Sequence, residues 1–177
     1  MVYIIIGVSG CGKTTIGLKL AELLKLPYYD GDDYHSPSNK EKMRKGIPLT
    51  DEDRKPWLSL LSENINRWNK EGGSVISCSA LKEKYRRILL QHGPAQFIYL
   101  KAEKELIRFR LKERKGHFFS PDLMESQFTD LEEPDYAITV AITLSPSEIC
   151  MEILDKIEKW REDSSPLSCN GSSKFPL

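Results

Sequence analysis

The sequence predicts an α/β protein built on a parallel β-sheet. Two observations lead to this prediction. Short apolar, β-branched runs alternate with helix-like segments along most of the chain, and the first of these runs leads into a glycine-rich phosphate-binding motif. The chain has 177 residues, enough for one domain with a substantial core. We expect that domain to span residues 1–161, and we expect the Ser- and Pro-rich tail at 162–177 to be disordered.

Composition and charge argue against several classes of protein. The formal net charge is +0, which argues against general nucleic-acid binding, so any anion site must be built from locally placed Lys and Arg. The four cysteines match neither a zinc pattern nor a redox pair. We see no signal peptide before the first strand and no apolar run of membrane-spanning length. We therefore expect a cytoplasmic protein with no nucleic-acid or membrane partner.

The first predicted strand, Val2–Ile6, is followed by a P-loop motif that matches its pattern in full. Glycines let the backbone approach a phosphate, successive amides form an anion nest, and the helix predicted over 13–25 adds a partial positive charge. We expect Lys13 to reach the β- and γ-phosphates and the Thr14 hydroxyl to ligate Mg²⁺. A chance glycine-rich turn is the alternative, and the strand–loop–helix context argues against it. The predicted nucleotide-binding residues of this loop are Gly7, Ser9, Gly10, Cys11, Gly12, Lys13, Thr14 and Thr15.

A second short strand, at 28–30, ends in a dense polar cluster that runs from Asp30 through Asp32 and Asp33 to His35. Ligands of doubly wound sheets collect beyond the carboxyl ends of the strands, where the P-loop also lies. The carboxylates of this cluster are therefore candidates for a metal-water ligand and for a base. A simple turn would also explain a glycine flanked by acids.

Two helices are predicted next. Pro37 at the first helical position, with Ser38 and Glu41 as a capping box, indicates the first, and Thr50 begins the second. The second helix carries an apolar stripe at helical spacing that we expect to be core: Trp57, Leu58, Leu61, Ile65 and Trp68. Arg54 lies one turn before the stripe on the same face, so it could bind a ligand or form a structural ion pair.

A third strand, at 74–78, precedes a basic helix on which Lys82 and Arg86 share a face. These two side chains could simply form a solvated helix surface. An anion site is also open, because the pair follows the carboxyl end of a strand.

A fourth strand, at 96–100, precedes a helix that begins at about Glu103 and carries Arg110 and Arg114. The basic residues beside the Gly- and Pro-bordered segment 116–121 predict a lid, at about 110–130, that closes over the phosphates. A short helix over 121–128, a fifth strand over 137–143 and a final helix after Ser145 complete the alternation.

The ordered set of motifs resembles the gluconokinase family, a shikimate-kinase-like group of P-loop small-molecule kinases. The resemblance covers residues 4–158. Its carriers are Gly7-Val8-Ser9-Gly10-Cys11-Gly12-Lys13-Thr14, Asp30-Gly31-Asp32-Asp33-Tyr34-His35, Asn39-Lys40-Glu41-Lys42-Met43, the run from Gly46 to Leu58, Cys78-Ser79-Ala80-Leu81-Lys82 with Tyr85-Arg86, Arg114-Lys115-Gly116-His117-Phe118-Phe119, and Ser126-Gln127-Phe128. The P-loop alone is shared by many enzymes, whereas the other motifs together are specific to this family.

The resemblance implies a three-layer fold like that of nucleoside-monophosphate kinases, with a five-stranded parallel sheet in the order 2-3-1-4-5, helices on both faces and a lid. It also implies transfer of the γ-phosphoryl group of ATP to the 6-hydroxyl of D-gluconate, which feeds carbohydrate metabolism, and often a homodimer. ATP and Mg²⁺ are the implied cofactors, with Asp30 beside Thr14 at the metal. Asp32 is expected to be the base, and Lys13 and Arg114 to be catalytic. Arg110 is expected at the nucleotide, and the sugar acid is expected to bind His35, Arg54, Lys82 and Arg86, with His117 and Gln127 as weaker partners.

Three points stay open. Cys11 stands where many relatives have Ser, and a thiol at a helix N-terminus could have a lowered pKa, so that its oxidation blocks ATP binding. An inert small spacer is the alternative. A related kinase with another acceptor and a nucleotide-binding switch without catalysis are the competing functions. The sequence does not identify the adenine contacts.

Overall fold

The computed structural model describes residues 1–113 and 121–163. The strands are β1 Val2–Ile6, β2 Tyr28–Asp30, β3 Ser74–Ser77, β4 Ala95–Lys101 and β5 Ile138–Ala141. The helices are α1 Lys13–Leu24, α2 Pro37–Arg44, α3 Asp51–Lys70, α4 Glu83–Leu89, α5 Lys104–Glu113, α6 Pro121–Asp130 and α7 Pro146–Asp163, with a 3₁₀ turn over Gly31–Tyr34.

The five strands form one parallel sheet in the order β2-β3-β1-β4-β5, which confirms the predicted topology. The central strand β1 pairs on both sides, so that Ile5 lies opposite Ser77 of β3 and Ile98 of β4. Because all the strands run the same way, the P-loop after β1, the acids after β2 and the loop after β3 leave the sheet at one edge. The fold therefore brings together the three segments that the sequence singles out.

Alternate residues of β1 contribute to two separate cores. Tyr3 and Ile5 pack with side chains of α1 and α7, whereas Val2, Ile4 and Ile6 pack with side chains of α3 and α4. The stripe predicted on α3 is confirmed, since Trp57, Leu58, Leu61, Ile65 and Trp68 are all at most 2% exposed. Helices thus cover both faces of the sheet, as a parallel sheet requires.

The helix starts follow the predicted capping residues with one exception. At α3, Thr50 and Asp53 form a reciprocal capping box. The capping box predicted for Ser38 and Glu41 is wrong, because Ser36 is the N-cap of α2 and its hydroxyl accepts from the amide of Asn39 at 3.2 Å. Pro37 does occupy the first helical position, and the cap must precede it.

Two predicted segments lie partly outside the described residues. Helices α5 and α6 form the two ends of the predicted lid, and residues 114–120 between them are not described. Helix α7 continues to Asp163, two residues beyond the predicted start of the tail, and residues 164–177 lie outside the description. Among the described helices, none combines the length and apolar character needed to cross a bilayer.

Candidate active site

The loop between β1 and α1 has the backbone of an anion nest. Gly7 adopts a φ of +147°, and a Cβ on it would lie 2.8 Å from Cys11 Sγ and 3.0 Å from the Leu100 carbonyl. Gly12 caps α1 in the left-handed region at a φ of +98°. The first intrahelical bond runs from the amide of Ile16 to the Gly12 carbonyl, 2.9 Å. The amides in the first turn of α1 therefore have no acceptor within the helix and can bind an anion.

Lys13 folds back over this loop. Its ammonium donates to the carbonyl oxygens of Gly7 at 2.9 Å and Val8 at 3.0 Å, so the side chain spans the loop that it belongs to. An ammonium has three donor hydrogens, and these two bonds leave one for a phosphate oxygen. The contact places the positive charge at the mouth of the nest.

Cys11 contributes its backbone to the loop but its thiol to the core. The residue is 1% exposed, and its side chain belongs to the core formed with α1 and α7. Desolvation by burial raises the pKa of the Cys11 thiol, although the charges of Lys13 and Arg110 act in the opposite direction. The expectation of a lowered pKa is wrong, because it placed the thiol in the nest together with the amide. Cys11 is a small core residue in this structure.

Thr14 and Asp30 meet where β2 ends beside the P-loop. The Thr14 hydroxyl donates to Asp30 Oδ2 at 3.3 Å, and Asp30 Oδ1 accepts from the amide of Asp32 at 3.1 Å. The second bond orients the Asp30 carboxylate toward the start of α1. No group of three or more His, Cys, Asp or Glu side chains in the described chain could hold a metal ion. A hydroxyl beside one carboxylate suits Mg²⁺, which keeps several waters and is completed by substrate phosphates.

Asp32 lies between this metal-type pair and the cationic residues. Desolvation by the surrounding protein raises the pKa of Asp32, the charge of Lys13 lowers it, and the charge of Asp30 raises it. Its side chain is nevertheless 65% exposed, so water and a substrate can reach the carboxylate. An accessible carboxylate with a raised pKa has the properties of a general base.

His35 is held neutral against Trp57. The two rings stack with centroids 4.1 Å apart and an interplanar angle of 18°. Desolvation lowers the pKa of His35 to about 4, and the charges of Arg54 and Lys40 add to this. The ring nitrogen Nε2 lies 3.9 Å from Asp32 Oδ1, whereas the buried Nδ1 has no hydrogen-bond partner among the described residues. A neutral imidazole at this position can exchange hydrogen bonds with hydroxyl groups.

Arg54 projects from the first turns of α3 and forms no ion pair with a described residue. Its guanidinium carbon lies 5.6 Å from the centroid of the Tyr85 ring. Its Nε is buried, and within the described part of the chain it has no hydrogen-bond partner. The structural ion pair that the sequence left open is not formed with any described residue. A guanidinium fork is therefore available for a planar anion.

The prediction that Lys82 and Arg86 share a helical face is wrong, because α4 begins at Glu83 and Lys82 is its N-cap in an extended conformation. Lys82 Nζ forms an ion pair with Asp130 Oδ1 at 2.9 Å and lies 5.9 Å from the centroid of the Tyr85 ring. Arg86 is 1% exposed, and its guanidinium donates to the carbonyls of Ala80, Leu81 and Glu132, to Glu83 and to the Tyr136 hydroxyl. Lys82 can turn toward a ligand, whereas Arg86 holds together the protein around it.

The four residues predicted to act from the lid lie in different surroundings or outside the described chain. Arg110 of α5 donates to the carbonyl of Ile142 at 2.9 Å, just beyond β5. Gln127 of α6 contacts the P-loop rather than the acidic cluster: its Oε1 accepts from the amide of Ser9 at 2.6 Å, and its Nε2 donates to Ser9 Oγ at 3.0 Å. Arg114 and His117 lie outside the described residues.

Two residues of this site received no role from the sequence. The ring of Tyr85 has the side-chain cations of Arg54, Lys82 and Lys84 within 6 Å of its centroid, and its hydroxyl donates to Asp51 Oδ1 at 2.6 Å. Its position in the first turn of α4, three residues after the N-cap Lys82, was the available signal. Asp130 gave no signal, because its partner Lys82 lies 48 positions away and on another element.

Comparisons with known proteins identify the family and the fold. The family model described as Shikimate kinase matches residues 9–158. A probable gluconokinase of Dictyostelium discoideum is 41% identical over 174 residues, which cover 89% of this chain and 86% of the relative. The thermoresistant gluconokinase of Escherichia coli K12 is 45% identical over 75% of this chain and 77% of its own length. The crystal structure of a gluconokinase from Sinorhizobium meliloti 1021 superimposes with a TM-score of 0.86 at 34% identity, covering 94% of this chain and 97% of that one.

Proposed function

This chain belongs to the gluconokinase family of shikimate-kinase-like P-loop kinases, and we propose that it transfers the γ-phosphoryl group of ATP to the 6-hydroxyl of D-gluconate. The observation that carries the acceptor assignment is which of the three cations around the Tyr85 ring form ion pairs. Lys82 pairs with Asp130 and Lys84 with Asp51, whereas Arg54 forms no ion pair with a described residue. One unpaired guanidinium matches the single carboxylate of an aldonic acid.

The donor half of the proposed site holds the phosphates of ATP. The amides from Gly10 to Thr15 bind phosphate oxygens, and Lys13 neutralises charge on the β- and γ-phosphates. We assign Arg110 to the nucleotide because α5 brings it to the end of β5, near the P-loop residue Cys11. Arg114 keeps its predicted catalytic role as a proposal from the family resemblance.

Mg²⁺ fits the residues beside the donor loop. Thr14 Oγ1 would bind it directly and Asp30 through water, an assignment supported by the 3.3 Å contact between these two side chains. Held by these two residues, the ion would supply positive charge that neutralises charge developing on the phosphate oxygens.

The acceptor half positions gluconate and accepts one proton. Arg54 binds the carboxylate, Lys82 adds a second cation at its edge, and His35 exchanges hydrogen bonds with the hydroxyl groups. As the oxygen of the 6-hydroxyl forms its bond to the γ-phosphorus, Asp32 takes up the hydroxyl proton and the bond to the β–γ bridging oxygen breaks. The products are 6-phospho-D-gluconate and ADP.

Three of the residues predicted to bind the substrate are not assigned to the sugar acid by the described contacts. His117 lies in the segment that is not described and stays a prediction. Arg86 has its donors engaged by protein groups, so we propose that it supports the Lys82 loop without touching the sugar acid. Gln127 lies on the donor side, where its contact is with Ser9.

An assay of ADP release with a panel of acceptors tests the proposed function. We expect turnover with D-gluconate, and little with shikimate or with glucitol, which has the same carbon chain without the carboxylate. Equal turnover of glucitol would contradict the role of Arg54, and preference for another acid would reassign the acceptor. ATP binding without any acceptor-dependent ADP release would instead indicate a nucleotide-binding switch. The family resemblance also favours a homodimer, which analytical ultracentrifugation tests.

A further inference from the structure

The last turn of α6 contacts both halves of the proposed site. Gln127 binds Ser9 of the P-loop through two hydrogen bonds, and Asp130 binds Lys82 at 2.9 Å. Residues three apart on a helix lie on the same side, about 4.5 Å apart along the axis. One turn of one helix therefore contacts the phosphate-binding loop and a cation of the acceptor half.

The donor-side contact is held from two directions. Gln127 presents an acceptor to the Ser9 amide and a donor to its hydroxyl, so both ends of the side-chain amide are used. The adjacent Gly10 packs against α5, since a Cβ there would lie 3.1 Å from Leu111 and 3.6 Å from Ile107. The tip of the loop is thus fixed by α5 and α6 together.

The acceptor-side contact is reinforced beyond Asp130. In the segment that follows α6, the amide of Glu132 donates to the Leu81 carbonyl at 3.0 Å, and its carboxylate accepts from the amide of Glu83 at 2.6 Å. The carbonyl of Glu132 accepts from Arg86 at 2.8 Å. The loop that carries Lys82 is therefore tied to the end of α6 by four separate contacts.

We propose that the last turn of α6 is a positioning element that couples the binding of the two substrates, with Gln127 and Asp130 as its positioning residues. Phosphate binding acts on the loop to which Gln127 is bonded, and acceptor binding acts on the cation that Asp130 holds. A change at either end is transmitted through four residues of one helix. The acceptor end rests on the proposed function, since it requires Lys82 to lie at the sugar acid.

Isothermal titration of the folded protein measures this coupling without turnover. The dissociation constant of D-gluconate is measured alone and with a saturating, non-hydrolysable ATP analogue and Mg²⁺. We expect the analogue to lower that constant at least about fivefold in the unmodified chain. In Gln127→Leu and in Asp130→Asn we expect the ratio of the two constants to approach one. Thr129→Ala is the matched control, because among the described residues its hydroxyl bonds only to the Glu125 carbonyl in its own helix, and the ratio should be retained.

The two variants also give reciprocal controls. Gln127→Leu should leave gluconate affinity without nucleotide unchanged, and Asp130→Asn should leave nucleotide affinity without gluconate unchanged. The proposal is overturned if the unmodified chain shows a ratio of one, or if the ratio survives in both variants. Failure of the proposed function looks different, because D-gluconate would then give no binding heat with or without the analogue.

Discussion

The donor and acceptor halves lie at the same edge of the sheet but are built in different ways. The phosphate-binding loop of the proposed donor half is one uninterrupted stretch, Gly7 to Thr14, whose proposed binding groups are mostly backbone amides. The acceptor half collects side chains from three separate segments: the turn after β2, the start of α3 and the loop before α4. The first is specified by local conformation, and the second by long-range contacts.

The difference matters for how each half responds to substitution. A backbone amide cannot be removed by changing its side chain, so the donor half depends on glycine conformation and on Lys13. In the acceptor half every proposed binding group is a side chain with its own neighbours. Removing one of these side chains therefore changes the contacts of the others. The predictions below test this contrast.

The largest effect is expected at Lys13, the side chain proposed to neutralise the phosphates in the donor half. Lys13→Ala removes the charge opposite the β- and γ-phosphates and should lower kcat by about a thousandfold, as loss of a preorganised transition-state donor does. Steady-state kinetics with gluconate and ATP measures it. Lys70→Ala, an exposed lysine at the end of α3, is the charge-matched control. A kcat within a few-fold of the unmodified chain would move the phosphate charge to another residue.

Asp32→Asn should have the next largest effect, on the acceptor side. It removes the proposed base and should lower kcat by roughly a hundredfold, with a smaller change in the KM for gluconate. The base must be deprotonated to act, so a raised pKa moves the acidic limb of kcat/KM in the unmodified enzyme above the ordinary range of aspartate. This limb should disappear in the variant.

The control for Asp32 is its neighbour. Asp33→Asn removes another exposed carboxylate one residue along the chain and should preserve kcat. Because the charge of Asp33 contributes to the raised pKa of Asp32, the acidic limb should remain in this variant and move only toward lower pH. Near-normal kcat in Asp32→Asn would remove Asp32 from the role of base.

Arg54→Ala should act mainly on binding. A hydrogen bond to a charged group contributes about 1.5–3 kcal/mol, so the KM for gluconate should rise roughly 10- to 100-fold with a smaller change in kcat. Lys55→Ala, an exposed cation one residue later, should leave the KM unchanged. An unchanged KM in Arg54→Ala would contradict the assignment of the carboxylate.

Arg86 provides the contrast within the acceptor half, because it is buried and fully bonded. Arg86→Ala leaves several carbonyls without donors and should lower the free energy of unfolding, by about 3 kcal/mol, as loss of one partner of a buried pair does. Arg54→Ala should leave that free energy nearly unchanged. Chemical denaturation of the two variants separates them.

The smallest effect is expected at Cys11. Its thiol is buried in the core and its pKa is raised, so a thiol reagent should modify it slowly in the native protein, and ATP should not change the rate. Mass spectrometry of the peptide that contains Cys11 follows the reaction, with the urea-unfolded chain as the fast reference. Rapid modification that ATP suppresses would contradict this expectation and support the hypothesis of a reactive Cys11 thiol.

The sequence predicts the donor half more fully than the acceptor half for a physical reason. Glycine at positions 7 and 12 indicates a backbone with positive φ, and the apolar run before Gly7 identifies the strand. The local motif therefore predicts the geometry of the loop. Arg54 and Arg86 have the same chemistry in the sequence, and only the structure distinguishes an unpaired guanidinium from one bonded to three carbonyls. Contacts such as Asp130 with Lys82 depend on where two distant elements meet, which no local pattern encodes.

The placement of β1 in both cores has a consequence for how the molecule opens. All five of its residues are at most 1% exposed, and their side chains alternate between the two helical layers. Its amides can exchange hydrogen with solvent only when β1 separates from the neighbouring strands β3 and β4. These amides therefore belong to the last unit of the protein to open. The P-loop is joined directly to this strand. Partly opened molecules, in which the outer turns of α2 and α3 have come away, should therefore retain the phosphate nest while they have lost the acceptor side chains.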